Sequence, residues 1–194
     1  MSEPDLLGAL IPVAEALEGL GVRYHVGGSV ASSAYGIARA SVDVDVVAEL
    51  RPEHALPLVE RLRSDYYVDQ GRVGDAILRR RSFNLIHLAT MLKIDVFVSK
   101  DRPFDRQALE RSLPQALEAA EPARRFPFAS PEDVVLAKLE WFRSGGETSE
   151  RQWNDVLGVL RVSAPSLDRS YMRRWAVSLG TADLLERALG EVET

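Results

Sequence analysis

Two aspartates separated by one residue interrupt a run of valines, Asp43 and Asp45 in SVDVDVV. Side chains on a strand alternate faces, so both carboxylates point one way, with Cα atoms about 6.5 to 7 Å apart, while Val42, Val44 and Val46 point the other. Two acids held side by side repel each other. A divalent cation between them is the simplest way to keep both ionised, and hard Mg²⁺ suits oxygen ligands. A half-buried strand with a solvated polar face has the same spacing. KIDVFV repeats the pattern, with Lys93, Asp95 and Phe97 on one face and Ile94, Val96 and Val98 on the other. An ordinary solvated aspartate, or one paired with a neighbour, also fits there. Upstream, the Gly27-Gly28 turn lets backbone approach a ligand closely, and Ser29 opens a helical run whose free N–H groups favour phosphate.

The elements that must position these residues follow from periodicity. Leu6, Leu10, Val13 and Leu17 recur at helical spacing, with Pro12 expected to kink or interrupt the helix. VRYHV alternates as a short strand entering Gly27-Gly28, and the run Ser29 to Tyr35 reads as a helix closed by Gly36. After the aspartate strand, Pro52 opens a helix carrying Ala55, Leu58, Val59 and Leu62. A loop is expected at Gly71 and Gly74, then a short helical turn in GDAILRRR, then SFNLIHLAT and LKIDVFV as two strands close enough to pair antiparallel. EPARRFPFASPEDVV, punctuated by Pro122, Pro127 and Pro131, is the candidate boundary. Only helices are expected beyond it. Ser130 with Asp133 and Ser149 with Gln152 carry capping patterns, a third helix follows Asp168, and TADLLERAL closes the chain. The expected domains are 1–128, a mixed sheet with helices, and 129–194, a helical segment.

Composition limits the alternatives. At 194 residues, 46% hydrophobic and 27% charged, the chain can bury one full core and is not of a disordered class. A net charge of -5 argues against a surface dedicated to duplex nucleic acid. With no cysteine there is no disulfide or thiolate zinc site. No apolar run approaches the ~20 residues of a membrane span, and the acidic N-terminus lacks a signal-peptide pattern, so a cytoplasmic location is expected.

Taken in order, GGSVASSAYGIARASVDVDVV with the later KIDVFV resembles the nucleotidyltransferase fold of the DNA polymerase beta superfamily. The R-x-S-x-D-x-D of Arg39, Ser41, Asp43 and Asp45, with a distal helix carrying Lys138 and a SERQWND segment, resembles AbiEii-like bacterial nucleotidyltransferases and their uncharacterised relatives. The implied fold class is α/β (α+β), a mixed-sheet nucleotidyltransferase core with a C-terminal helical bundle. The resemblance implies that Gly27, Gly28 and Ser29 hold the β and γ phosphates of a nucleoside triphosphate such as ATP, with Lys138 reaching the same triphosphate. It implies that Asp43, Asp45 and Asp95 are catalytic and bind Mg²⁺, as one ion or two, with Asp95 helping to activate an acceptor hydroxyl. It further implies a tRNA or protein acceptor, a toxin role and a cognate antitoxin. A catalytically idle relative that keeps the cleft only to bind a nucleotide or a partner is the alternative.

Other polar residues read more plainly. Lys138 also fits a solvated lysine on an amphipathic helix. Arg151 and Asp155 share one helix face and are spaced for an ion pair worth about 0.3 to 0.5 kcal/mol. Arg39 fits a surface ion pair as well as a phosphate or carboxylate contact. His25, His54 and His87 are scattered, with packing roles expected. Arg79, Arg80 and Arg81, with Arg72 and Arg124-Arg125, form a basic step suited to an anionic acceptor such as RNA or to plain solvation. Trp141, Trp153 and Trp175 are expected to pack.

Overall fold

The computed structural model describes residues 6–37, 43–117 and 123–193. It divides into two compact units, Met1–Val26 with Ser41–Phe128, and Gly27–Ala40 with Ala129–Thr194.

The first unit is built on a seven-stranded sheet in the order β3-β4-β5-β2-β1-β7-β6. Its strands are β1 (Tyr24–Val26), β2 (Asp43–Ala48), β3 (Tyr66–Tyr67), β4 (Ser82–His87), β5 (Lys93–Val98), β6 (Leu113–Ala116) and β7 (Arg125–Phe128). β4 and β5 pair antiparallel, as their spacing predicts, and β5 runs parallel to β2 at the centre. Alternation sets which face is core: Val44, Val46, Ala48 and Ile94 are wholly buried, and Val96 and Val98 nearly so. The aspartates on the same strands fall on the opposite, half-open face.

Helices α1 (Leu6–Gly19), α3 (Ala55–Leu62), α4 (Gln70–Leu78) and α5 (Pro103–Glu110) belong to this unit. Two of them correct local expectation. α1 runs through Pro12 without a break, burying Ala9, Leu10, Val13, Ala14, Ala16 and Leu17. An interior proline costs about 3 kcal/mol, and each large apolar side chain buried returns about 1.5 to 3 kcal/mol, so packing outweighs it. The Tyr66 hydroxyl of β3 donates to the Ala9 carbonyl and ties the sheet edge to α1. α4 takes in Gly71 and Gly74, where a loop is expected. Asp69 caps it by accepting from the Arg72 N–H at 2.7 Å, and Val73, Ala76 and Ile77 are buried, which offsets about 1 kcal/mol per glycine. β7 also lies inside the proline-punctuated stretch, where a boundary followed only by helices is expected. Phe126 and Phe128 are wholly buried there, and Pro127 faces Pro114 of the edge strand β6.

The second unit is helical: α2 (Gly28–Tyr35), α6 (Pro131–Ser144), α7 (Glu150–Ser163), α8 (Arg169–Leu179) and α9 (Ala182–Glu193). The predicted caps form, with Ser130 accepting from the Asp133 N–H and Ser149 from Gln152, and Asp168 caps α8 by accepting from the Tyr171 N–H. Asp133 is 1% exposed because its carboxylate accepts from both the Ser130 hydroxyl and the Tyr171 hydroxyl, each at 2.7 Å, joining α6 to α8. Gly36 follows α2 where a Cβ would lie 3.0 Å from backbone of Gly158 and Val159, so the chain passes close against α7. Trp153 packs on Phe142 and donates to Glu191. Trp141 departs from expectation: it is 53% exposed, on the outer side of α6.

Candidate functional site

Parallel pairing of β2 and β5 places Asp45 directly opposite Asp95, and Asp43 directly opposite Lys93. Neighbouring strands lie about 4.8 Å apart, and alternate residues share a face. The four side chains therefore form a two-by-two lattice of three carboxylates and one ammonium, half-open on the sheet face away from the valines. β4 adds Asn84, opposite Asp95 in the antiparallel register. The Asn84 amide donates to Asp95 Oδ1. Lys93 Nζ lies 2.7 Å from Asp95 Oδ2 and 3.7 Å from Asp43 Oδ2. The pair with a neighbour that the KIDVFV pattern allows for Asp95 is thus realised within its own strand.

The electrostatics of the lattice are legible in Lys93. Its ammonium is held above the ordinary lysine range, chiefly by the Asp95 hydrogen bond, with burial opposing and the charges of Asp95, Asp43 and Asp45 adding. All three carboxylates act on one cation. Their chemistry and common face fit a hard divalent ion. As the side chains stand, among the described residues no three His, Cys, Asp or Glu groups are close enough to hold a metal together. Asp43 and Asp95 are joined through the lysine instead.

The proposed phosphate-binding residues lie in the second unit. Gly28 has φ +58, a conformation that L side chains rarely adopt, which explains one glycine of the pair. Gly27 has no positive φ, and a Cβ there would meet nothing within 4 Å. Ser29 is buried in the first turn of α2. Lys138 is not a solvated lysine: its side chain is 10% exposed, and Nζ pairs with Asp155 Oδ2 at 2.8 Å. Asp155 therefore reaches across from α7 to α6, where sequence spacing pairs it with Arg151 on its own helix. Arg39 and Ser41 lie outside the described residues.

The remaining candidates take structural roles. His25 is buried with Nδ1 unpartnered while its ring hydrogen-bonds the Ala108 backbone, and burial pushes the imidazole down to about 4. His54 Nδ1 accepts from the Arg51 N–H, and His87 meets Thr90. Within the basic step, Arg79 pairs with Asp75 and Arg80 with Asp101, while Arg124 pairs with Glu15 and Glu18. No helix among the described residues is long and apolar enough to cross a membrane.

The alternation of KIDVFV sets Lys93 on the face of Asp95 without marking it as part of a site, and no sequence pattern marks Asn84. The signal for Lys93 was its two-residue spacing from Asp95. Asn84 could be recognised only once the β4–β5 register was known.

With the lattice on a mixed sheet, the chain can be set beside solved structures. A crystal structure of an antigenic nucleotidyltransferase-like protein from Paracoccidioides brasiliensis aligns over 97% of this chain and 94% of its own, with a TM-score of 0.55 and 18% identity. This chain has the nucleotidyltransferase fold. The solution structure of the antibiotic-resistance factor ANT(2'')-Ia aligns over 96% of this chain and 98% of its own, with a TM-score of 0.51 and 12% identity. At these identities the fold is what is shared. No family model and no curated protein matches the sequence.

Proposed function

We propose that the chain is a nucleotidyltransferase that moves a nucleoside monophosphate from a triphosphate donor to a hydroxyl of an acceptor. The single observation that carries this reading is the register that sets Asp45 against Asp95 with Asp43 on the same face. Asp43, Asp45 and Asp95 would hold Mg²⁺, which when bound neutralises charge developing on the attacking and leaving oxygens. Asp95 accepts the proton of the acceptor hydroxyl, and its orientation is held by Asn84. The hydroxyl oxygen then bonds to the α-phosphorus as the bond to the bridging oxygen breaks, and pyrophosphate leaves. Gly27, Gly28 and Ser29 are assigned to the donor phosphates through backbone N–H groups and the serine hydroxyl. Lys138 is assigned to the triphosphate charge, with Asp155 fixing its ammonium.

The acceptor is assigned on the sequence resemblance. The resemblance to AbiEii-like nucleotidyltransferases implies a tRNA or protein acceptor and a toxin role with a cognate antitoxin, and a cytoplasmic location is proposed on the composition of the chain.

Incubation of the protein with each α-labelled nucleoside triphosphate, Mg²⁺, and total cellular RNA or protein tests the reading. Label should move to one acceptor class, and Asp45→Asn should abolish it. No transfer to either class, with nucleotide binding unchanged in Asp43→Ala, refutes the enzymatic reading and leaves a binding-only relative.

A further inference from the structure

Among the described residues, Lys93 is the cation that the structure sets within the carboxylate lattice. Asp95 has both oxygens engaged: Oδ1 accepts from Asn84 and Oδ2 from Lys93. Lys93 also reaches toward Asp43, at 3.7 Å. The ammonium therefore stands between two of the three groups on which a divalent ion depends. A dication and an ammonium within a few ångströms of each other repel strongly, so both cannot keep that place. The lysine can yield: its side chain is 43% exposed and has a flexible four-carbon stem.

We infer that Lys93 is a built-in counter-cation that closes the carboxylate site in the nucleotide-free protein and must swing out before a divalent ion enters. The inference rests on the nucleotidyltransferase reading and concerns the order of its binding events. With the ammonium in place, the free protein binds metal weakly. An incoming triphosphate supplies negative charge for the displaced lysine, so metal and nucleotide each favour the other's binding. Lys93 is thus a positioning residue that couples the two ligands.

Mn²⁺ binding to the full chain, read by the electron paramagnetic resonance signal of free Mn²⁺, tests this without any turnover. Lys93→Met should bind Mn²⁺ at least about tenfold more tightly than the unsubstituted protein in the absence of nucleotide, the size expected from removing one nearby like charge in a half-exposed site. Lys93→Arg, which keeps the charge, should stay near the unsubstituted value. A non-hydrolysable triphosphate should raise Mn²⁺ affinity more in the unsubstituted protein than in Lys93→Met. If Lys93→Met does not fold, Lys93→Gln, which keeps a donor for Asp95 without charge, makes the same comparison. Equal or weaker Mn²⁺ binding in the uncharged variant, with nucleotidyl transfer intact in the unsubstituted protein, overturns this inference alone. No Mn²⁺ binding in any of the proteins, with or without nucleotide, overturns both it and the metal-dependent reading.

Discussion

The ion pair between Lys138 and Asp155 offers the sharpest test of how the helical unit is held together. The two charges are 2.8 Å apart, on side chains each 10% exposed. At an effective dielectric of about 20, a pair at that distance attracts by about 6 kcal/mol before desolvation is counted. Desolvation removes most of that gain, so the net worth of the pair is small. The cost of breaking it is large, because Asp155→Asn leaves a lysine charge in a mostly dry site. Removing one partner of such a pair costs about 3 to 5 kcal/mol, or about 6 to 20 °C in Tm for a chain of this size. Lys138→Met should cost a similar amount, by stranding the carboxylate. The double substitution Lys138→Met with Asp155→Leu should return to within about 1 kcal/mol of the starting protein, since a buried pair and an apolar contact of similar volume are often equivalent. Urea unfolding of the four proteins completes the cycle. If Asp155→Asn costs less than about 1 kcal/mol, the charges are solvated and the pair does not join α6 to α7.

Further predictions concern single residues. Gly36→Ala should destabilise by about 1 to 3 kcal/mol, because the new Cβ would lie 2.8 Å from the Ser32 carbonyl oxygen and 3.0 Å from α7 backbone; Gly158→Ala, whose nearest neighbour would be 3.5 Å away, should be neutral or stabilising in the same denaturation assay. Gly28→Ala should cost about 1 to 2 kcal/mol from its positive φ. Gly27→Ala should stay within about 1 kcal/mol yet weaken triphosphate binding by calorimetry, and unchanged affinity there would remove the turn from the phosphate site. His25, whose folded value of about 4 lies below the ordinary 6.5, protonates more readily when unfolded. Its contribution is full above about pH 6.5 and is lost as pH falls toward about 4, worth about 3 kcal/mol in all. Unfolding free energies measured from pH 7 to 4 should show that loss in the native sequence and a flatter profile in His25→Gln.

Much of this architecture is written locally. Strand alternation alone puts Asp43 and Asp45 on one face and the valines on the other, because backbone geometry fixes that period whatever the strand pairs with. The caps at Ser130, Ser149 and Asp168 are equally local, each a side chain reaching an N–H three residues on. Only the tertiary structure decided what those faces meet. Helix α1 crosses Pro12, and α4 absorbs two glycines, because burial against the first unit's core outweighs propensity. The strand β7 forms within a proline-rich stretch because two phenylalanines there reach the core. Asp155 chooses Lys138 over the residue spaced for it on its own helix. The pairing of Asp45 with Asp95, the insertion of Lys93 and the support from Asn84 all depend on the register of β2, β5 and β4, which no single segment encodes. Register is a collective property of whole strands packed on a common core. The sequence by itself therefore determined which residues could do chemistry, and the tertiary structure decided that a lysine stands among the acids.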